Sequence, residues 1–204
     1  KSCAWRRLMV PAPWGWPGDT TGPGQPNLYE YTGTGNAEPT MVAVDGGRGS
    51  AALIGDCGAT LGGPEFTSAS GAVSSSGEVV VFTPVPADEL ECGAAQPAHA
   101  ELYARIDGER TVWLSEPQCS PGGCPASTPS AAVFEGAAAD GWRGFLLSTQ
   151  RLTSDALDDP EAGDSASGFA GSGCQGALGT GCNLYEYDLA RPAGERLRAI
   201  SVGS

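Results

Sequence analysis

Short runs of apolar and alternating residues, separated by glycine- and proline-rich stretches, form the dominant pattern along the chain. Three runs are closely similar, and we call them the Leu-Tyr strings: Asn27-Leu28-Tyr29-Glu30-Tyr31, Glu101-Leu102-Tyr103-Ala104-Arg105 and Asn183-Leu184-Tyr185-Glu186-Tyr187. Alternation with a period of two is typical of a β-strand. The leucines are 74 and 82 residues apart, and recurrence at a long period predicts a repeated supersecondary unit.

The last repeat predicts four antiparallel strands in meander order. Asp140-Gly141 lies between two apolar runs and is typical of a two-residue hairpin turn. Another turn, Pro192-Ala193-Gly194, follows the third Leu-Tyr string. The four strands are expected at 131–139, 142–149, 183–189 and 195–202.

The middle repeat matches the last one when Ser76-Gly77 is aligned with Asp140-Gly141. Both repeats then carry Gly-Glu-Arg at the third turn, as Gly108-Glu109-Arg110 and Gly194-Glu195-Arg196, which argues against a chance match. The second to fourth strands of the middle repeat are expected at 79–82, 101–106 and 111–115. The first repeat lacks a counterpart of the first strand. Its remaining strands are expected at 4–10, 28–31 and 40–44.

Composition agrees with many short strands joined by long loops. The chain has 204 residues, of which 31 are glycine and 16 are proline, too many for long helices. Hydrophobic residues make up 40% of the chain, which argues against disorder. The 24 acidic and 11 basic residues give a net charge of −13, so nucleic acid is not an expected partner. No apolar run reaches the 18 residues of a membrane-spanning segment.

Four-stranded meanders repeated in tandem are the blades of a β-propeller. The small-residue strand ending at Asp140-Gly141, the hydrophobic strand after it and the string Asn183–Asp188 before a turn carry a resemblance to a known family. The chain resembles the WD40-like or TolB-like propeller repeats of bacterial exported and envelope proteins. In the middle repeat, Ser76-Gly77 and Tyr103-Ala104-Arg105 depart from the pattern of the last one.

The resemblance implies an all-β fold, a partial β-propeller that forms an open arc of about two and a half four-stranded antiparallel blades. Such an arc leaves apolar blade faces exposed at both ends, because closure of the ring normally covers them. The expected divisions are an incomplete first blade at 1–45, an insertion at 46–64, a second blade at 65–115, a Cys/Pro/Gly-rich linker at 116–129 and a third blade at 130–204.

Seven cysteines suggest disulfides that close local loops. The three expected pairs are Cys119–Cys124, Cys174–Cys182 and Cys57–Cys92, and Cys3 is left over. Such pairs indicate an oxidising, extracytoplasmic compartment. The alternative is a zinc site built from Cys119, Cys124, Cys174 and Cys182. The absence of a histidine near either pair and the seven-residue spacing of the second pair favour disulfides.

The acidic segment between 155 and 164 is the candidate metal site. Five carboxylates within ten residues have the hard oxygen ligands that Ca²⁺ prefers. The segment lacks the alternating Asp-x-Asp-x-Asp-Gly order, and Pro160 interrupts it, so a solvated acidic loop is the favoured interpretation. The five residues are Asp155, Asp158, Asp159, Glu161 and Asp164. No other cofactor is expected.

Trp14 and Trp16 are the candidate interaction residues, because aromatic side chains in a loop can stack on a sugar or a protein partner. Packing against a neighbouring blade is the alternative. Catalytic signals are weak: His99 is the only histidine, and no G-x-S-x-G elbow occurs. The stretch Gly171–Gly176 matches G-x-G-x-x-G by letter, but it opens no predicted helix and is interpreted as a loop.

These patterns predict a non-catalytic, extracytoplasmic propeller segment that acts as an interaction or structural scaffold. Its expected partners are the remaining blades of the same protein and a protein or glycan whose identity the sequence does not specify. The alternative is the propeller domain of a larger hydrolase or glycan-active enzyme, with its catalytic residues outside these 204 positions.

Overall fold

The computed structural model describes residues 3–8, 27–32, 40–50, 52–55, 57–63, 70–85, 100–119, 124, 131–156 and 183–200. These residues form thirteen short β-strands and no helix. The strands are β1 (Cys3–Leu8), β2 (Asn27–Thr32), β3 (Thr40–Met41), β4 (Val44–Asp45), β5 (Ala52–Leu53), β6 (Ala59–Leu61), β7 (Val79–Pro84), β8 (Tyr103–Ile106), β9 (Arg110–Trp113), β10 (Ala132–Ala137), β11 (Arg143–Ser148), β12 (Asn183–Asp188) and β13 (Leu197–Ala199).

The described strands form four antiparallel sheets, none of which closes on itself. The first sheet has the order β1-β2-β3, the small sheet pairs β4 with β5, the middle sheet has the order β6-β7-β8-β9, and the last sheet has the order β10-β11-β12-β13. Every neighbour in a sheet is also its neighbour in sequence, which is the meander order. The all-β, antiparallel architecture expected from the sequence is therefore confirmed for the described part of the chain.

The aligned hairpin turns have the same backbone geometry. Gly77 and Gly141 both adopt positive φ, at 74° and 75°, where glycine is the favoured residue. The N–H of Gly77 donates to the carbonyl of Ser74 at 2.9 Å, and the N–H of Gly141 donates to that of Ala138 at 2.8 Å. The alignment of Ser76-Gly77 with Asp140-Gly141 is thus correct at the level of local structure.

The first strand of the middle sheet, β6, lies before the range 65–115 expected for the second blade. Residues 72–74 pair with the beginning of β7, where the N–H of Val81 donates to the carbonyl of Ala72 at 2.7 Å. The end of β7 instead pairs with β6, which lies within the segment 46–64 expected to be an insertion. The backbone of a buried strand needs hydrogen-bond partners along its whole length, and two separate segments supply them here.

The middle sheet is covered on both faces. Val80 and Phe82 of β7 belong to a core cluster shared with the first sheet, whereas Val79 and Val81 belong to one shared with the last sheet. Alternate residues of β7 therefore contact different neighbours, as the pleat of a strand requires. The three larger sheets are stacked face to face in chain order.

Each Leu-Tyr string overlaps the next-to-last strand of its sheet, which is β2, β8 or β12. Leu28 and Leu102 pack toward the following sheet, and Tyr103 and Tyr185 pack toward the preceding one. Because successive side chains alternate, Leu184 lies on the face of the last sheet that points away from the middle sheet.

Candidate functional site

Most sequence-predicted site residues lie outside the described part of the chain. This applies to Trp14, Trp16, Asp158, Asp159, Glu161, Asp164, His99, Cys92, Cys174 and Cys182. Asp155 is described and its side chain is exposed. Among the residues whose placement is described, no group of three or more His, Cys, Asp or Glu side chains could hold a metal ion.

Cys119 and Cys124 are at disulfide distance, with their Cα atoms 5.2 Å apart. Cys57 is also disulfide-bonded, and Cys92, the partner expected from the sequence, lies outside the described residues. Of Cys3 only the backbone is described, as the first residue of β1.

Arg105 is the centre of a buried polar network between the small and middle sheets. Only 2% of its surface is exposed. One terminal nitrogen of the guanidinium donates to the carbonyl of Gly46 at 2.6 Å, and the other donates to those of Gly108 at 2.8 Å and Gly47 at 3.1 Å. Burial lowers the pKa of Arg105. In the sequence, Arg105 stands out only as a departure from Tyr-Glu-Tyr. No local feature identifies it as the centre of a polar network.

Arg48 extends this network to the first sheet. Its guanidinium lies 3.6 Å from the carboxylate of Glu30 and donates through Nε to the carboxylate of Glu109 at 3.0 Å. Nη2 donates to the carbonyl of Asp107 at 2.5 Å. The hydrogen bond to Glu109 is the main reason that the pKa of Arg48 is raised. One arginine thus links a strand glutamate of the first sheet to a turn of the middle sheet.

A third polar group, formed by Glu101, Trp113 and Ser115, lies at the edge of the middle sheet. The hydroxyl of Ser115 donates to the carboxylate of Glu101, and the indole N–H of Trp113 is 3.0 Å from the same carboxylate. Burial raises the pKa of Glu101 to about 7, although both hydrogen bonds lower it. Tyr103 stacks on Trp113 with ring centroids 6.2 Å apart, and 36% of Trp113 remains exposed.

The Ser115–Glu101 contact is not arranged as a nucleophile and its base. Ser115 accepts the N–H of Leu102 at 3.1 Å and the indole N–H of Trp113 at 2.8 Å while it donates to Glu101. A hydroxyl has one proton and two lone pairs, and all three are used here. A nucleophile needs a free lone pair directed at the substrate, so this group supports the strand edge.

The arginine pocket is a surface depression of about 170 Å³ on the outer face of the last sheet. It is lined by Arg143, Glu186, Asp188, Arg191, Arg196 and Arg198. Arg143 pairs with Asp188 at 3.1 Å, and Arg198 pairs with Glu186 at 2.9 Å. Within the described residues, Arg191 and Arg196 have no carboxylate partner. Four arginines against two carboxylates leave two positive charges in excess on a protein whose net charge is −13.

Comparison of the chain with protein-family models, with curated proteins and with solved structures found no match. The described residues contain no helix that is long and apolar enough to span a membrane.

Proposed function

We propose that this chain is a segment of a β-propeller of the WD40-like or TolB-like type, and that it acts outside the cytoplasm as a non-catalytic interaction or structural scaffold. The observation that carries the proposal is the shared orientation of the Leu-Tyr strings. In successive sheets, leucine packs toward the following sheet and tyrosine toward the preceding one. Tandem meander sheets stacked in chain order are the construction principle of propellers.

The polar clusters support a structural role. Both terminal nitrogens of the Arg105 guanidinium donate to backbone carbonyls, and Arg48 contacts two carboxylates and a carbonyl. Arginines bound in this way by carbonyls and carboxylates hold neighbouring sheets together, and the one unpaired donor of Arg105, Nε, is buried where a substrate does not reach it. The arginine pocket, by contrast, faces solvent and is available for interaction.

The cysteines support a location outside the cytoplasm. Cys119 and Cys124 close a short loop at disulfide distance, and Cys57 is bonded as well. Disulfides persist in exported proteins and are rare in reducing compartments. A propeller in the cell envelope or secreted fluid would present its loops to a protein or glycan partner.

The decisive experiment is to determine the structure of the protein encoded by the complete gene by electron microscopy. We expect a closed ring of about four to eight blades, in which the middle and last sheets are consecutive blades. A sandwich or open solenoid would overturn the proposal for the fold. An attached domain with hydrolase or glycan-cleaving activity would overturn the non-catalytic assignment and support the enzyme alternative.

A further inference from the structure

The outer face of the last sheet carries an excess of positive charge. Tyr185 and Tyr187 are buried against the middle sheet, so Glu186 and Asp188 lie on the opposite face. Their arginine partners extend over them into solvent, because 65% of the side chain of each of Arg143 and Arg198 is exposed.

Glu30 of the first sheet shows how the position equivalent to Glu186 is covered in another sheet. Glu30 and Glu186 occupy the same place in their Leu-Tyr strings. Glu30 is only 5% exposed, because the turn at Gly108 of the middle sheet lies against it. A Cβ atom at Gly108 would overlap the Glu30 carboxylate and come within 2.8 Å of the Arg48 guanidinium. The turn therefore approaches Glu30 closely only because it contains glycine.

Arg48 allows this acidic turn to lie against the carboxylate of Glu30. It neutralises Glu30 and at the same time binds the carbonyl of Asp107 and the carboxylate of Glu109. Arg198, the cross-strand neighbour of Glu186 in the last sheet, neutralises that glutamate, but no turn lies over the pair among the described residues. Arg191 and Arg196 supply the additional positive charge that a carboxylate of such a turn would meet.

The middle sheet provides the contrast. Ala104 occupies the position equivalent to Glu30 and Glu186, and it is fully buried in the core cluster shared with the last sheet. Where the glutamate is absent, apolar side chains make the contact between sheets. The combination of strand glutamate and arginine thus marks a face that receives a charged turn.

We infer that the arginine pocket is a docking site for an acidic, glycine-containing β-turn of a partner sheet, of the kind formed by Asp107-Gly108-Glu109. The pocket contributes guanidinium donors, and the partner contributes a turn carbonyl and a carboxylate. This inference deepens the proposed scaffold function, because it names the surface and the chemistry of the partner.

The test uses the full chain and a cyclic hairpin peptide whose turn copies residues 106–110. A matched peptide carries Asn and Gln in place of the turn Asp and Glu. Binding is measured by fluorescence anisotropy at low ionic strength, where exposed charge pairs are least screened. Arg191→Gln and Arg196→Gln are compared with Arg110→Gln, which removes one exposed arginine outside the pocket. Circular dichroism establishes that each variant is folded.

We expect the acidic peptide to bind and the amide peptide to bind at least about fivefold more weakly. Each pocket variant should weaken binding by about three- to fivefold, the upper part of the range that an exposed charge pair contributes, and Arg110→Gln should leave binding unchanged. Equal binding of the two peptides, or an equal effect of Arg110→Gln, would overturn the inference. Displacement of the peptide by inorganic phosphate at equal concentration would also overturn it, because the pocket would then be a simple anion site.

The two proposals fail in distinguishable ways. If the peptide does not bind while the whole protein forms a ring, the docking inference falls and the scaffold proposal stands. If the peptide binds through the pocket while no ring forms, the proposed propeller fold is wrong and the docking inference stands.

Discussion

At the scale of single residues, Arg105 shows how a buried charge can be held by the backbone. Its guanidinium contacts carbonyls from the segment after β4 and from the turn after β8, so it joins two parts of the chain that are about sixty residues apart. A buried cation is costly unless its donors are satisfied. Here only Nε lacks a partner in the described part of the chain.

Replacing Arg105 by methionine should lower the free energy of unfolding by about 2–4 kcal/mol. Methionine retains an apolar stem but leaves the carbonyls of Gly46, Gly47 and Gly108 without these donors. Urea unfolding under non-reducing conditions provides the measurement. The exposed Arg110→Met is the control and should change stability by less than about 0.5 kcal/mol. Equal stability of the two variants would contradict a structural role for Arg105.

The carboxyl of Glu101 should make stability depend on pH. Burial raises its folded-state pKa to about 7, whereas in the unfolded chain its pKa is about 4.3. Between these values the folded state holds a proton that the unfolded state has released. The free energy of unfolding should therefore fall as pH rises through this window, by no more than ~1.4 kcal/mol per pH unit, and level off above about pH 7.

Glu101→Gln is the matched variant, because the amide keeps the shape and does not titrate. Urea unfolding at several pH values from 5 to 8 should show the variant gaining stability relative to the original chain as pH rises. A constant difference across this range would mean that Glu101 has an ordinary pKa.

At the scale of elements, the hairpin turns of neighbouring sheets are in direct contact. The N–H of Ser75 donates to the carbonyl of Ala139 at 2.7 Å. A Cβ atom at Gly141 would lie 2.8 Å from the Cβ of Val79, closer than such atoms approach. Gly141 is thus required both by its positive φ and by the adjacent hairpin.

A comparison of Gly141→Ala with Gly194→Ala separates the cost of positive φ from the cost of overlap with the adjacent hairpin. Both residues adopt positive φ, at 75° and 84°, so both substitutions carry a backbone cost of about 1–2 kcal/mol. Among the described residues other than its chain neighbours, none has an atom within 4 Å of a Cβ at Gly194, so only Gly141→Ala adds an overlap, worth about 1–3 kcal/mol more. Thermal unfolding of both variants is the measurement. Similar losses would show that the hairpins move apart freely.

At the scale of the whole molecule, the last sheet leaves an apolar face uncovered by described residues. Phe145 on this face is 43% exposed, and Leu147 and Leu184 are half-buried. Exposed apolar sheet faces are sites of association. The same face carries the arginine pocket, so its apolar and charged parts are both available to a partner.

The isolated chain should therefore self-associate with increasing concentration. Phe145→Ser should reduce this association, because it removes the most exposed large apolar side chain of the face. Arg110→Ser, which alters an exposed side chain of the middle sheet, is the control. Size-exclusion chromatography with light scattering measures the mass. A monodisperse monomer for the original chain, with a cooperative melt, would contradict the prediction.

Thiol counting on unreduced protein should find fewer free thiols than the seven cysteines of the sequence. Cys57, Cys119 and Cys124 should be unreactive, since all three are disulfide-bonded. Reduction should release them. Seven free thiols before reduction would remove both the disulfides and the argument for an oxidising compartment.

Strand positions could be predicted from the sequence because they depend on local pattern. The Leu-Tyr strings alternate apolar and polar residues, and Ser76-Gly77 and Asp140-Gly141 are turn signals whose chemistry is local. The described strands β8, β11 and β12 therefore lie where the pattern indicates. Strand β6 could not be predicted, because three residues, Ala59-Thr60-Leu61, are too few to establish a period, and the segment becomes a strand by pairing with β7.

The polar sites also divide into those that the sequence indicates and those that only the tertiary structure forms. The acidic segment and the tryptophans of the loops stand out by composition, whereas the described structure gathers its polar networks from residues that look ordinary in sequence. Arg105, Arg48 and Glu30 lie far apart along the chain and meet only when the sheets are stacked. Such long-range contacts have no local signature.

The sequence by itself thus determined the all-β class, the meander order and the turns, because hydrophobic period and glycine conformation act over a few residues. Only the tertiary structure decided which face of each strand is covered, that β7 is paired by two separate segments, and that four arginines converge beside Glu186. Those features depend on which sheets come into contact, and that contact is set by packing between parts of the chain that are distant in sequence.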